Sequence, residues 1–346
     1  MLEYKGTVMT VAALLLYFLW MDIALFYKVQ NRISSRHVVP ISGTSTTAAL
    51  PEMISPFTGL SVKLIMMDPV NNYIHNPAAH LFNEVTNFST VFYFITPNMI
   101  SFIGLLFALG AAKCMTMEAR IFHYVAIFLF QMRTWCDALD GDVARSRLGM
   151  VQHVSLRNTS GYVVDGVADA LGFTAFLIGC FQHLRTTVPK MKYYLPLHTH
   201  EICKDCKNGS PLNGASPTCM VSHTTNQRGV FVVVLCFGLQ MAIGAFFWDH
   251  YINAYHNFLE TPSPTDLQSE AQNEVLRSSI TWILMWFWRL SNAHNLMQML
   301  LFSIYVNKLW EFLMWIQFVG FTQIFTLAFL TEIHLSTVRS YILSFS

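Results

Sequence analysis

Five aspartates lie close together in this sequence, although charged residues make up only 12% of the chain. Four of them form two pairs, because Asp137 and Asp140 are i,i+3 neighbours while Asp165 and Asp169 are i,i+4 neighbours. On a helix, these spacings place both members of a pair on the same side. The sequence therefore predicts two helices, each with two carboxylates on one face of an otherwise apolar surface.

Carboxylates are costly in an apolar setting unless they are paired or bind a metal. Two facing pairs would repel each other without a cation between them. A donor set made only of oxygen favours Mg²⁺ or Mn²⁺ over zinc, and such metals commonly bind phosphates. Arg145 offers a bidentate cation for a phosphate, and Gly141 and Ala144 lack the bulk that would keep a ligand or second helix away.

The alternative is that the aspartates form buried ion pairs or cap helices. The arginines close enough in sequence to act as partners are Arg133, Arg145, Arg147 and Arg157. Acidic residues within membrane spans are functional by default, which favours the metal site.

These residues resemble the signature of the CDP-alcohol phosphotransferases, D-x2-D-G-x2-A-R-x8-G-x3-D-x3-D. The residues that match in identity and order are Asp137, Asp140, Gly141, Ala144, Arg145, Gly161, Asp165 and Asp169. Fifteen residues separate Arg145 from Gly161, where the broad family has eight. The longer gap is similar to the variant motif of the ceramide phosphoethanolamine synthases of insects and other invertebrates, a divergent branch of the family.

The resemblance implies a role for each motif residue. Asp137, Asp140, Asp165 and Asp169 would be ligands of a divalent metal, Mn²⁺ or Mg²⁺. Asp169 would also be catalytic, by taking the proton of the attacking hydroxyl. Gly141, Ala144 and Arg145 would contact the cytidine nucleotide, and Gly161 would have a structural role.

The family resembled here also has T-P-N near the start of the span before its motif, and residues 96–98 match it. Asn98 is therefore a candidate nucleotide-binding residue, with helix capping as the alternative.

The reaction implied by the resemblance transfers phosphoethanolamine from CDP-ethanolamine to the primary hydroxyl of ceramide, and it releases CMP. An ethanolamine or choline phosphotransferase acting on diacylglycerol is the alternative within the class. A cation transporter is an alternative of another class, but it would need polar residues along a path through several spans. Family members are commonly homodimers, and the net charge of +1 suggests no nucleic-acid partner.

Length and composition predict an all-α polytopic membrane protein, because 53% of the 346 residues are hydrophobic and fall in long apolar runs. Residues 1–29 are predicted to be a signal-anchor helix, residues 30–92 a polar loop with amphipathic interfacial segments, and residues 93–335 a CDP-alcohol phosphotransferase-like domain with a six-helix core. The seven predicted spans are 8–27, 100–112, 121–135, 161–181, 229–248, 279–305 and 310–330.

Charge asymmetry predicts the orientation. With seven spans, residues 1–6, 113–120, 182–228 and 306–309 share one side and contain ten Lys and Arg, against six on the other side outside the motif loop. The positive-inside rule makes the richer side cytosolic, and so predicts a lumenal aspartate site. A multi-pass Golgi protein is what the resemblance implies.

Three polar residues within spans allow more than one interpretation. Asp22 is predicted to snorkel to the interface. Arg289 is predicted to neutralise a substrate phosphate or to pair with Glu311, and His294 to assist the acceptor hydroxyl. A hydrogen bond between helices is the alternative for both residues. Between spans, Cys203, Cys206 and Cys219 suggest a zinc knuckle, a disulfide or unpaired thiols.

Overall fold

The computed structural model describes residues 2–31, 62–149, 160–188, 227–261 and 265–344, and these residues form helices joined by short turns. The helices are α1 (Leu2–Asn31), α2 (Val62–Met66), a π-helix (Asn71–His75), α3 (Asn76–Thr86), α4 (Phe88–Val91), α5 (Pro97–Met115), α6 (Arg120–Arg147), α7 (Ser160–Thr187), α8 (Gln227–Leu259), α9 (Asp266–Arg277), α10 (Ser279–Ser291), α11 (Ala293–Tyr305) and α12 (Leu309–Leu343). The cysteines 203, 206 and 219 lie outside the described residues.

Five of the described helices, α1, α5, α7, α8 and α12, are long and apolar enough to cross a membrane. Their apolar side chains remain widely exposed, as expected for surfaces that face lipid. The prediction of an all-α polytopic membrane protein is confirmed. The two other predicted spans correspond to α6, which carries the first aspartate pair, and to α10 and α11, which are separated by a break at Asn292.

Helices α5, α6 and α7 form one packed unit because small residues let their backbones approach. A Cβ atom placed on Gly104 of α5 would lie 3.4 Å from the Cβ of Cys136 on α6. A Cβ on Gly179 of α7 would lie 2.6 Å from the backbone oxygen of Ala112 on α5, so only glycine fits there. This close packing fixes α6 and α7, the two helices with aspartates, through their common neighbour α5.

The break between α10 and α11 has a local cause. Asn292 has extended backbone angles, and its side chain caps α11 by accepting a hydrogen bond from the backbone nitrogen of Asn295 at 2.7 Å. Helix α8 approaches this break closely, because a Cβ on Gly244 would lie 2.6 Å from the backbone oxygen of Ser291. The first turn of α11 therefore begins at a fixed point beside α8.

The segment before α5 packs against the helical bundle. The backbone nitrogen of Val62 donates to Glu260 Oε1 at 2.7 Å, and Trp248 Nε1 donates to the backbone oxygen of Met66 at 2.8 Å. Both ends of α2 are thus held by residues of α8 and the turn that follows it. The interfacial location of residues 30–92 stays a prediction, and residues 32–61 of this segment lie outside the described residues.

A buried ion pair joins α1 to α10. Arg289 Nη1 lies 2.5 Å from Asp22 Oδ1, and the two side chains are 1% and 13% exposed. Asp22 also accepts hydrogen bonds from the Tyr73 hydroxyl and from Trp286 Nε1. The predictions that Asp22 snorkels and that Arg289 pairs with Glu311 or a substrate phosphate are therefore wrong, whereas the alternative for Arg289, a hydrogen bond between helices, is confirmed. Glu311 pairs instead with Lys308, at 2.8 Å.

Candidate active site

The structure brings the four motif aspartates together between α6 and α7. Carboxylate oxygens of Asp137, Asp140 and Asp165 lie within 4.8 Å of one another. Asp169 lies beside Asp137, and one oxygen from each falls within the same distance of a nitrogen of His294. Asp137 belongs to both groups, so the site has two adjacent sets of metal-ligating atoms that share one carboxylate.

Helix α5 supports the site through Ser101. The Ser101 hydroxyl donates a hydrogen bond to Asp140, whose side chain is buried. Their chain neighbours Ile100 of α5 and Leu139 of α6 belong to one buried apolar cluster. Sequence reasoning missed Ser101, because a serine one turn into an apolar helix is common without such a role.

Asp169 contacts two basic side chains. Arg133 Nη2, on α6, forms an ion pair with Asp169 Oδ1, and the Arg133 guanidinium lies over the ring of Phe173 at 4.6 Å. His294 Nε2 lies 3.5 Å from Asp169 Oδ2 and 3.6 Å from Asp137 Oδ2. The sequence predicts Arg133 only as an ion-pair partner of the aspartates. It predicts that His294 assists the acceptor hydroxyl or hydrogen-bonds between helices. The fold brings both side chains into the site.

Arg145 folds back along its own helix towards Gly141. A Cβ atom at Gly141 would lie 3.0 Å from Arg145 Nη1, so glycine leaves space for the guanidinium. Within the described part of the chain, the buried Nε of Arg145 has no hydrogen-bond partner. A buried donor without an acceptor is costly, and a phosphate oxygen would satisfy it. Ala144, which comes directly before Arg145 on α6, is half-buried.

The other predicted site residues lie at the helix starts. Asn98 is exposed in the first turn of α5, three residues before Ser101, and the capping role belongs to Thr96, whose hydroxyl accepts from the Met99 nitrogen at 3.3 Å. Gly161 lies in the first turn of α7 and is half-buried. Most of the unusual gap between Arg145 and Gly161 lies outside the described residues.

A further basic residue comes from the segment before the predicted domain. Lys63 lies on α2. Burial lowers the pKa of its ammonium group, and the positive charge of Arg145 lowers it further, whereas Asp137 and Asp165 raise it. The Lys63 side chain is therefore coupled electrostatically to the motif residues. Sequence reasoning missed it because no helical periodicity connects residue 63 to the motif.

The motif helix is also held on its outer side. Asp142, the fifth aspartate, is buried and accepts a hydrogen bond from Asn83 Nδ2 at 2.8 Å, while His80 Nδ1 lies 3.3 Å away. Asn83 and His80 both belong to α3. Asp142 thus points away from the four clustered aspartates and connects α6 to α3, which indicates a structural role.

These residues fit a divalent metal. The donor set consists of carboxylate oxygens, which suit Mg²⁺ and Mn²⁺, with one imidazole nitrogen at its edge. Repulsion among four clustered carboxylates favours a bound cation. Two buried nitrogens at the cluster, Arg133 Nη1 and His294 Nε2, have no hydrogen-bond partner among the described residues.

An apolar cavity of about 570 Å³ adjoins the aspartates. It lies among α7, α8 and the start of α11, and Asp169 and His294 line it together with apolar side chains such as Phe173, Leu177 and Val234. A cavity of this volume and composition suits an apolar chain, with the polar groups placed to meet a hydrophilic end.

Comparison with known proteins agrees with this geometry. The family described as "Ceramide phosphoethanolamine synthase" matches residues 4–345. A Drosophila melanogaster protein named ceramide phosphoethanolamine synthase is 34% identical over 291 residues, which cover 84% of this chain and 71% of the relative. No solved structure matches the chain.

Proposed function

The chain belongs to the ceramide phosphoethanolamine synthase family, and from that membership we propose that it transfers phosphoethanolamine from CDP-ethanolamine to ceramide. The observation that carries the proposal is the convergence of four aspartates from α6 and α7 at the edge of an apolar cavity. The aspartates suit a pyrophosphate with its metal, and the cavity suits the lipid acceptor.

In the proposed reaction, the primary hydroxyl oxygen of ceramide attacks the phosphorus that carries ethanolamine. A new P–O bond to ceramide forms, the P–O bond to CMP breaks, and the hydroxyl proton passes to a base. A bound Mn²⁺ or Mg²⁺ would neutralise charge on the pyrophosphate and on the departing CMP.

Each motif residue has a proposed role in this reaction. Asp137, Asp140, Asp165 and Asp169 hold the metal, and Asp169, which lines the cavity, accepts the ceramide proton. Arg145 binds a donor phosphate through the guanidinium group beside Gly141, with Ala144 and Asn98 near the nucleotide. Gly161 has a structural role in the first turn of α7.

A lipid-product assay on the purified protein tests the proposal. CDP-ethanolamine and CDP-choline are each offered with ceramide or diacylglycerol, in the presence of Mn²⁺, Mg²⁺ or a chelator. We expect a ceramide product from CDP-ethanolamine that disappears with chelator. A product made only from diacylglycerol would move the protein to the glycerolipid phosphotransferases, and no product from any pair would contradict the enzyme assignment.

We also propose that the protein lies in the Golgi membrane as a homodimer, with its aspartate site on the lumenal side. The excess of Lys and Arg on the opposite side supports this orientation. With seven spans the two termini lie on opposite sides, so a glycosylation site added after residue 346 should be modified in cells while one added before residue 1 should not. The reverse pattern would place the site in the cytosol.

A further inference from the structure

His294 has a position that the motif does not account for. It lies on α11, more than a hundred residues after the last motif aspartate, yet its Nε2 is 3.6 Å from Asp137 Oδ2 and 3.5 Å from Asp169 Oδ2. That nitrogen is buried and has no hydrogen-bond partner among the described residues. It therefore faces the same space as the two carboxylate oxygens.

Several contacts hold the imidazole in this place. The Asn292 cap starts α11 two residues before His294, so His294 lies in the first turn. One turn later, Gln298 accepts a hydrogen bond from Gln131 Nε2 of α6 at 2.6 Å, which fixes α11 against the helix that carries Asp137. The ring of Phe173 packs edge-to-face on the imidazole, with centroids 5.4 Å apart.

The two sets of ligand atoms then differ in chemistry. Asp137, Asp140 and Asp165 provide only oxygen, whereas Asp137, Asp169 and His294 provide two oxygens and one nitrogen. Mg²⁺ takes oxygen ligands almost exclusively, whereas imidazole is a common ligand of first-row transition metals. The aspartates suit both Mg²⁺ and Mn²⁺, and the imidazole nitrogen of His294 favours Mn²⁺.

We propose that His294 is a direct metal ligand, and that with Asp137 and Asp169 it forms a position that prefers Mn²⁺ to Mg²⁺. This inference rests on the proposed function, because it assumes that the aspartates bind a divalent metal. It adds a ligand from α11 to a site that the motif builds from α6 and α7 alone. The proposal also assigns a function to the break at Asn292, because α11 starts there and His294 in its first turn lies beside the aspartates.

Electron paramagnetic resonance of bound Mn²⁺ tests the proposal without any activity measurement. Pulsed spectra of the purified full-length protein with Mn²⁺ should show coupling to a ¹⁴N nucleus. Growth with ¹⁵N-labelled histidine should change that coupling to the ¹⁵N pattern. Because this measurement uses the unaltered chain, it does not depend on the folding of a variant.

The substitution His294→Gln identifies the residue. We expect the nitrogen coupling to disappear and the Mn²⁺ affinity to fall by at least about tenfold, the lower end of the effect of supporting groups around metal ligands. The Mg²⁺ affinity should change much less. His123→Gln is the matched control, because His123 lies in the first turn of α6, at the opposite end of that helix from Asp137, and should leave coupling and affinity unchanged.

The outcomes separate this proposal from the proposed function. Bound Mn²⁺ without nitrogen coupling, or coupling that survives in His294→Gln, would overturn the role of His294 while leaving the aspartate site intact. A protein that binds no Mn²⁺ and no Mg²⁺ would overturn the metal site itself.

Discussion

Among the four clustered aspartates, Asp169 is the one with basic side chains at both carboxylate oxygens. Arg133 holds Oδ1 from α6, and His294 faces Oδ2 from α11. An ion pair of this kind fixes the orientation of a carboxylate. Because Asp169 also lines the apolar cavity, this orientation presents the carboxylate where a lipid hydroxyl would meet the donor phosphate.

Replacing Asp169 by asparagine tests this residue. The amide has nearly the same shape but neither accepts a proton readily nor binds a divalent metal as strongly. We expect turnover to fall by at least about 10²-fold, the usual lower range for loss of a general base. Initial rates of ceramide phosphoethanolamine formation measure the effect. The exposed Asp266→Asn on α9 is the control, and a fully active Asp169→Asn enzyme would remove Asp169 from the site.

At the scale of single elements, the short helix α2 places a lysine within the electrostatic influence of the motif residues, from outside the predicted catalytic domain. Its ends are held by Glu260 and Trp248, and Lys63 lies between them. Burial lowers the pKa of Lys63, with the positive Arg145 as the next cause, while Asp137 and Asp165 favour its charged form. A lysine so placed suits a phosphate of the donor.

We therefore expect Lys63→Met to raise the KM for CDP-ethanolamine by about tenfold, equivalent to one charge-assisted hydrogen bond, with a smaller change in the KM for ceramide. Steady-state kinetics with each substrate varied in turn measures the two constants. Lys113→Met, an exposed lysine at the far end of α5, serves as the control. An unchanged KM for the donor would show that α2 has only a structural role.

The helix α1 is more than a membrane anchor. Its Asp22 is the acceptor for Arg289, Tyr73 and Trp286, so α1 is joined to α10 and to the π-helix by one buried polar cluster. Arg289 Nε also donates to the backbone oxygen of Met67 at 2.6 Å. Buried clusters of this kind are sensitive to the loss of one partner.

Replacing Asp22 by leucine should destabilise the protein strongly, because it leaves Arg289 buried without its counter-ion, a change that typically costs about 3–5 kcal/mol. The double substitution Asp22→Leu with Arg289→Met should recover much of that loss. Unfolding in detergent, followed by near-ultraviolet circular dichroism, compares the variants. Lys308→Met, which removes an exposed ion pair, should have little effect. Equal stability of the Asp22→Leu variant and the unaltered protein would contradict a stabilising role of the buried polar cluster around Asp22.

On the scale of the whole molecule, the site lies between two packed units. Helices α6 and α7 carry the aspartates and pack against α5, whereas the cavity of about 570 Å³ lies where α7 meets α8 and the start of α11. In the proposed reaction, ceramide would approach Asp169 through the apolar surroundings of the cavity and the donor past the charged residues.

A bulky side chain in the cavity should affect the KM values of the two substrates differently. Ala242 of α8 lines it, so Ala242→Trp should raise the KM for ceramide several-fold through lost space for the chain, with the KM for CDP-ethanolamine unchanged. Ala13→Trp, on an exposed face of α1, is the control. An equal effect on both substrates, or on neither, would show that ceramide binds elsewhere.

The helical class, the family and the carboxylate pairs could be predicted from the amino-acid sequence. These features depend on local spacing, because residues three or four apart lie on one helix face regardless of the rest of the fold. The N-terminal boundary of α5 was equally local, since Thr96 and Pro97 form a cap and a first turn.

The distant side chains that complete the site and the scaffold could not be predicted, because helix packing brings them together. His294 lies beside the aspartates, and Lys63 lies within their electrostatic influence, through packing between helices that are far apart in sequence. A single sequence contains no record of that packing. Arg289 shows the same limit, because its partner Asp22 lies 267 positions away. A charged residue in an apolar span predicts that a partner exists, but the identity of the partner depends on which helices pack together.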